Sequence, residues 1–207
     1  MRFFVGCLLW RNSRIPVYPE RPSIAEVTAM SGERTLYRKV QVVLDYAKEG
    51  KHRDKSTLVE RILDRQPSNF AYYWRDRRTD EVKRGYSKVS IDKAIQTCID
   101  LKLVSGEEVN LTKKGVSAAD PGRFPTVVGK SASARLEEKG IPHSSIVKAI
   151  VSILHADPPR IPTIEELWAK LGERGDGVDA TEFRQMVTLL GQCEILRMTQ
   201  KRVFLPA

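Results

Sequence analysis

Apolar residues recur every three or four positions along much of the chain, and the clearest of these stretches predicts an α-helix within residues 87–101. Its apolar stripe comprises Ile91, Ala94, Ile95, Cys98 and Ile99. This spacing places all of them on one helical face. A hydroxyl at Ser87 or Ser90 can cap the start of the helix, because it accepts from a backbone N–H that the helix leaves unpaired.

The pattern changes after Leu101. Residues 105–108 contain turn-forming Ser and Gly, and residues 109–112 alternate apolar and polar side chains as a strand does. We therefore expect a short β-hairpin directly after the helix, which is the order of elements in the second half of a winged helix. The ending LTKKG, at residues 111–115, resembles the LTxxG close of the wing in MarR-like bacterial regulators. The resemblance implies that the helix enters the DNA major groove and that the hairpin contacts backbone or minor groove.

Two further helices are predicted upstream. Apolar residues have helical spacing from Leu36 to Glu49. A second helix follows a polar link and runs to about Arg65. Its start is predicted at Thr57, whose side chain would form a capping box with Glu60.

The insert at residues 66–86 departs from a simple helix-turn-helix, whose turn has about 3–4 residues. We predict a helix from residues 67–69 onwards, with one side formed by Phe70, Tyr73, Trp74 and Arg77. Aromatic side chains interleaved with cations suit base stacking and phosphate neutralisation. The alternative is structural, with Phe70 and Trp74 at the edge of the core and the cations in water. For the arginines we favour contact with nucleic acid, since they lie next to the presumed recognition helix in sequence.

The same order of elements is predicted a second time. Helical stripes at 146–154 and 164–171 precede a third helix that Asp179 would cap, and Thr163 and Glu166 would form a capping box. Residues 160–162 would give a short strand, and residues 195–199 and 202–205 a hairpin. The predicted fold class is mainly α with small β-hairpins (α+β), as two winged-helix domains in tandem.

The predicted domain boundaries follow these elements. Residues 1–33, which contain three prolines after a short apolar run, would form a poorly ordered N-terminal arm. Residues 34–115 would form the first winged-helix domain, residues 116–143 a connector that is irregular up to Gly129, and residues 144–207 the second winged-helix domain. We also hypothesise that translation starts at Met30, directly before the first domain.

The distribution of charge favours a polyanionic partner for the first two-thirds of the chain. The whole chain has a formal charge of +9. Residues 1–150 contain 28 Lys or Arg and 18 Asp or Glu, which gives a net charge of +10. Residues 151–207 contain 7 Lys or Arg and 8 Asp or Glu, which gives a net charge of −1. Cationic side chains gain affinity for nucleic acid by releasing the counterions of its phosphates.

The side chains predicted to contact DNA lie on the third helix of the first domain, after its hairpin and in the insert. Lys and Gln can read base edges, and Ser and Thr can contact bases or phosphates. On the helix they are Ser87, Lys88, Ser90, Lys93, Gln96 and Thr97. After the hairpin they are Lys113 and Lys114, and in the insert they are Arg75, Arg77, Arg78, Lys83 and Arg84.

The corresponding helix of the second domain has a different set of polar residues. They are Glu182, Arg184, Gln185 and Thr188, with Asp176 and Asp179 near the helix start. Acidic groups there would repel phosphates. We therefore expect the second domain to serve packing, homodimerisation or contact with a protein partner.

Several classes of function are not indicated by the sequence. The motifs GxxxxGK[ST], GxSxG, HExxH and GxGxxG do not occur, and the three histidines are far apart. We therefore expect neither enzymatic activity nor a cofactor. The three cysteines are scattered without CxxC spacing, which argues against disulfides and a structural zinc site. No apolar run approaches the roughly 20 residues of a membrane span.

Together these features predict a non-enzymatic protein that binds double-stranded DNA, in the cytoplasm at the nucleoid, as a transcriptional regulator or DNA-associated accessory factor. The alternative is a protein-interaction subunit. Tandem winged helices also resemble the kleisin-associated subunits of condensin complexes and subunits of membrane-sorting complexes, which use the fold largely for protein contact. Such a subunit would serve chromosome organisation or an anti-phage system.

Overall fold

A computed structural model describes residues 35–50, 54–65, 73–75, 79, 82–106, 108–172, 178–199 and 202–206. The helices are α1 (Leu36–Ala47), α2 (Lys55–Asp64), α3 (Lys88–Asp100), α4 (Lys113–Ala118), α5 (Phe124–Glu138), α6 (His143–Leu154), α7 (Ile164–Leu171) and α8 (Ala180–Gln192). The strands are β1 (Tyr73–Arg75), β2 (Val82–Arg84), β3 (Arg197–Thr199) and β4 (Arg202–Phe204), paired as two antiparallel hairpins. The predicted class, mainly α with small hairpins, is confirmed.

The first three helices pack against one another through the apolar faces that their sequences predict. Ser87 caps α3, as expected, because its Oγ accepts from Ser90 N at 3.2 Å. The capping box predicted at Thr57 and Glu60 is wrong. Helix α2 starts earlier, since Asp54 Oδ1 accepts from Thr57 N at 2.7 Å and Asp54 is therefore the N-cap.

Residues 73–75 and 82–84 form a hairpin where the sequence predicted a helix. The register pairs Tyr73 with Arg84, Trp74 with Lys83 and Arg75 with Val82. The helix prediction is therefore wrong for residues 73–75, and its remaining positions, Phe70 and Arg77, lie outside the described residues. Aromatic residues fit a paired strand better than a helix, and the partner strand supplies the hydrogen bonds that a helix would otherwise provide.

In the part of this segment that the structure describes, the hairpin predicted after α3 is reduced to an antiparallel bridge between Val104 and Leu111. The LTKKG segment begins a helix, because Thr112 Oγ1 accepts from Gly115 N at 3.1 Å and caps α4. Gly115 lies against the end of the preceding segment. A Cβ at this position would come within 2.9 Å of the carbonyl carbon of Leu103, so the close approach requires glycine.

The irregular conformation predicted for residues 116–129, the first part of the 116–143 connector, is also wrong, because these residues belong largely to α4 and α5. The buried side of α5 includes Phe124, Val128 and Leu136. Pro125 lies in the first turn of α5, where its missing N–H breaks no intrahelical bond. The short helix predicted at residues 130–139 is the second half of this longer helix.

The C-terminal elements follow the predicted order. Thr163 and Glu166 form the predicted capping box of α7, and Asp179 caps α8. The predicted hairpin is present as β3 and β4. Residues 160–162 are not a strand, although Val203 N donates to Pro162 O at 2.9 Å and a bridge joins the next residue to the hairpin.

One hydrophobic core joins the N-terminal and C-terminal helices. Helix α8 packs against α1, α5 and α7. Tyr37 of α1 meets the ring of Phe124 edge-on, with 4.6 Å between centroids, and its backbone N–H donates to Gln192 Oε1 at 3.1 Å. Gly129 of α5 permits close contact, since a Cβ there would lie 3.0 Å from Cys193 Cβ. Helix α5 is thus part of this core, while the domain division at 34–115 and 144–207 stays a prediction.

Candidate nucleic-acid interface

Helix α3 presents its polar side to solvent while its apolar side packs on α1 and α2. Its exposed residues include Lys88, Val89, Lys93 and Gln96. The last three of these are spaced by four and three positions, so they form one stripe along the helix. Lys88 stands beside this stripe in the first turn. The predicted recognition helix is therefore accessible to a partner.

Three hydroxyl groups predicted to contact DNA are either engaged in hydrogen bonds within the protein or shielded from solvent. Thr97 is 1% exposed, and its Oγ1 donates to Lys93 O at 2.9 Å. It follows Ala94 by three positions and so falls on the buried side. The prediction of Thr97 as a DNA contact is therefore wrong. Ser87 Oγ acts as the helix cap, and Ser90 Oγ is shielded from solvent without a hydrogen-bond partner among the described residues.

Gln96 is exposed, but its amide group is already engaged. Its Nε2 donates to Asp100 Oδ1 at 3.1 Å. A glutamine that reads adenine uses both amide atoms, so this bond would have to break on binding. Asp100 also places negative charge at the C-terminal end of α3. The N-terminal turns are therefore the part of the helix best suited to face phosphates.

Lys39 on α1 adds a cation beside α3 that the sequence analysis did not identify. Its Nζ lies 6.0 Å from the centroid of the Tyr86 ring. Burial lowers the pKa of Lys39 from its ordinary value, and repulsion from Lys93 lowers that pKa further. The sequence contains a local signal for this cation. Arg38 and Lys39 occupy the first turn of α1, where acidic residues are normally favoured and none occurs. Its proximity to Lys93 depends on how α1 packs against α3.

We define the α3 surface as Lys39, Lys88, Val89, Lys93 and Gln96. Its cations are not neutralised within the described residues: no carboxylate lies within ion-pair distance of the three lysines. The nearby acid Asp92 pairs instead with Lys55 at 3.8 Å. The α3 surface therefore carries positive charge that an anionic partner could neutralise.

Lys113 and Lys114 are exposed at the start of α4, which is at the opposite end of α3 from Lys88. Thr112 Oγ1, directly before them, donates to Lys102 O at 2.7 Å, and Lys102 follows the C-terminus of α3. Thirteen helical residues span about 20 Å. A hydrogen bond from Lys102 to Glu138 of α5 lowers the pKa of that carboxyl group, and the charges of Lys102, Arg135 and Lys114 lower it further. The two predicted lysines are thus separate from the α3 surface.

The insert is described only at its strands. Arg75 lies on β1, and Lys83 and Arg84 lie on β2, whereas Arg77 and Arg78 lie outside the described residues. Arg84 precedes the cap residue Ser87 by three positions, so its Cα is within about 11 Å of the start of α3. The hairpin backbone therefore meets α3 at the end that carries Lys88.

Helix α8 does not offer a comparable surface. Its buried residues are Phe183, Met186, Val187, Leu189 and Leu190. Glu182 accepts from Arg135 Nε at 2.7 Å, and Arg184 pairs with Glu165 at 3.2 Å. The first turns of α7 and α8 contain acidic residues, whereas those of α1, α3 and α4 contain none. The side chains of α8, which is the C-terminal counterpart of α3, are thus largely engaged in core packing and ion pairs.

Features typical of other kinds of site are lacking in the described part of the chain. No cluster of three or more His, Cys, Asp or Glu side chains there could hold a metal ion. Cys98 and Cys193 are buried free thiols, and burial raises the pKa of Cys193 to about 12 and that of Cys98 further. Neither is poised as a nucleophile, since the thiolate is the reactive form. Every described helix is too short or too polar to cross a bilayer.

Comparison of the chain with protein-family models, with curated proteins and with solved structures found no match. The function of the α3 surface is therefore inferred from its own side chains.

Proposed function

We propose that the protein binds double-stranded DNA through the α3 surface, as a transcriptional regulator or DNA-associated accessory factor. The observation that carries this proposal is the group of lysines at the exposed N-terminal part of α3, with Lys39 supplied by α1, none of which is paired with a carboxylate of the described residues. Duplex DNA presents closely spaced phosphates on both sides of a groove that admits a helix. Lys88 and Lys93 would contact phosphate or base edges, and Lys39 would contact phosphate.

The proposed architecture is a tandem pair of winged helices. Its support in the N-terminal half is the mutual packing of α1, α2 and α3, followed by the bridge from Val104 to Leu111. In the C-terminal half it is the series α6, α7 and α8, followed by the β3–β4 hairpin, with Thr163 bridged to Arg202. Only the N-terminal winged helix would contact DNA. In the C-terminal winged helix the third helix is α8, which packs into the core.

A salt titration of binding to random-sequence duplex DNA tests this proposal. Fluorescence anisotropy with the full-length protein should show a steep loss of affinity between about 50 and 200 mM salt. The double substitution Lys88→Gln and Lys93→Gln should weaken binding to all sequences. It should also reduce the slope of log affinity against log salt by about 2, roughly one unit for each lost phosphate contact.

The matched control removes the same amount of charge elsewhere. Lys148 of α6 and Lys170 of α7 are exposed lysines of the C-terminal half, and replacing both with Gln should leave the salt slope nearly unchanged. Equal effects of the two double substitutions would refute a role for the α3 surface. Failure of the parent protein to bind duplex at low salt would refute DNA binding altogether.

A protein-interaction role is the second candidate, and a feature of α6 favours it. Val151 and Leu154 are exposed and lie three positions apart, so they share one side of the helix. The C-terminal residues from 151 onwards also carry a small net negative charge. This surface suits a protein partner better than DNA, and it would remain the leading candidate if the salt titration detects no binding.

A further inference from the structure

Val89 is an exposed apolar residue in an otherwise polar and cationic setting. It has 63% of its surface exposed and lies in the first turn of α3, directly after Lys88. A β-branched side chain is a weak choice for an exposed helical position, because its χ1 freedom is restricted there. It also gains no hydrophobic stabilisation while it stays in water. The Val89 side chain is therefore accessible to a partner.

The position of Val89 matches that of a base contact. In helix-turn-helix proteins the N-terminal residues of the recognition helix contact base edges. Val89 starts the exposed stripe that Lys93 and Gln96 continue, whereas Ile91 faces the core. In the major groove thymine presents a C5-methyl group, and apolar side chains contact it. A valine between Lys88 and Lys93 is thus flanked by groups that would hold phosphates.

We propose that Val89 is a specificity-determining residue that contacts the C5-methyl group of a thymine in the major groove. The inference rests on the proposed binding of duplex DNA and adds the base that the site selects. Burial of Val89 against the methyl group removes apolar surface of both partners from water. Cytosine lacks the methyl group and offers an amino group that valine cannot pair with.

Replacing thymine with deoxyuridine tests this contact, because it removes the methyl group and keeps base pairing. Preferred duplexes are first selected with the full-length protein at about 200 mM salt, where non-specific binding is weakened. Each thymine is then replaced in turn. The parent protein should lose about fourfold in affinity at one position or a few, equivalent to ~0.8 kcal/mol for one methyl-sized group. For Val89→Ala the same replacement should cost less than about twofold.

Val116→Ala is the matched control, because Val116 is 60% exposed on α4 and loses the same two methyl groups. This control should keep the fourfold discrimination. An equal deoxyuridine effect in the parent protein and in Val89→Ala would overturn the inference while leaving DNA binding intact. Salt-dependent binding without any loss of affinity on deoxyuridine replacement would also overturn the inference and leave DNA binding intact. Absence of duplex binding by the parent protein would overturn both the inference and the proposed function.

Discussion

Lys39 occupies a position where positive charge opposes folding. It is half-buried, it lies close enough to Lys93 for repulsion to lower its pKa, and it sits in the first turn of a helix, whose dipole disfavours cations. The Tyr86 ring, 6.0 Å away, offers only weak compensation. A bound phosphate would compensate for the lost hydration of the Lys39 ammonium group and weaken its repulsion from Lys93. Phosphate binding would therefore give this residue a functional reason for its charge.

Replacing Lys39 with Met should raise the free energy of unfolding at neutral pH and lower the affinity for duplex DNA. A lowered folded-state pKa means that the folded state disfavours the ammonium form, and this penalty is fully present below that pKa. The advantage of the variant should shrink as pH rises towards about 10.4, the ordinary lysine pKa, because the folded parent protein then loses the charge. Urea unfolding across pH, with anisotropy on DNA, measures both effects.

Lys148→Met is the control for this substitution and should leave DNA affinity nearly unchanged. Lower stability of Lys39→Met at neutral pH would contradict the interpretation of Lys39 as a strained cation.

From sequence, the exposed Lys88, Lys93 and Gln96 could be predicted, since helical spacing sets their side of α3. The proximity of Lys39 to Lys93 could not be predicted, because it arises from contact between two helices.

At the scale of elements, helices with one apolar stripe can be predicted, whereas the first half of α5 and the β1–β2 hairpin are among the segments that cannot. Helices α1, α3, α7 and α8 each bury one continuous face, so periodicity locates them. Only the second half of α5 is predicted as a helix, because Pro125 and Gly129 in its first half have the sequence signal of a loop. The β1–β2 hairpin cannot be predicted in this way, because strands of three residues are too short to display alternation.

Gly115→Ala should lower the free energy of unfolding by about 1–3 kcal/mol. Alanine normally favours a helix over glycine by about 1 kcal/mol, but here the new methyl group would press on the Leu103 backbone carbonyl, which no rotamer change can move aside. Gly122→Ala is the control, since its Cβ would meet only Asp120 Oδ1 at 3.5 Å, an ordinary contact. Chemical denaturation of both variants measures the difference, and a stabilised Gly115→Ala would contradict the packing described.

At the scale of the whole molecule, the N-terminal and C-terminal helices share one core. Charge counts along the sequence could predict which part carries the basic surface, because net charge needs no knowledge of contacts. They could not predict that Tyr37 of α1 contacts Phe124 of α5 and Gln192 of α8. Contacts between residues so distant in sequence leave no local pattern.

Leu190→Ala should therefore destabilise α3 as well as α8. Leu190 is fully buried, and truncation of a buried leucine costs about 2–5 kcal/mol. If both halves unfold together, hydrogen exchange should accelerate by the same factor for the slowest amides of both helices. Val151→Ala, at an exposed position, should leave both unchanged. Accelerated exchange confined to α7 and α8 would show that the halves unfold independently.

The central place of α8 has a consequence for genetics. Under the proposed DNA binding, a screen for variants that no longer occupy DNA would return two groups of replacements. One group would change the outward-facing side chains of α3 and leave cellular protein levels normal. The other would lie in α8, remote from any nucleotide, and would act by reducing the amount of intact protein.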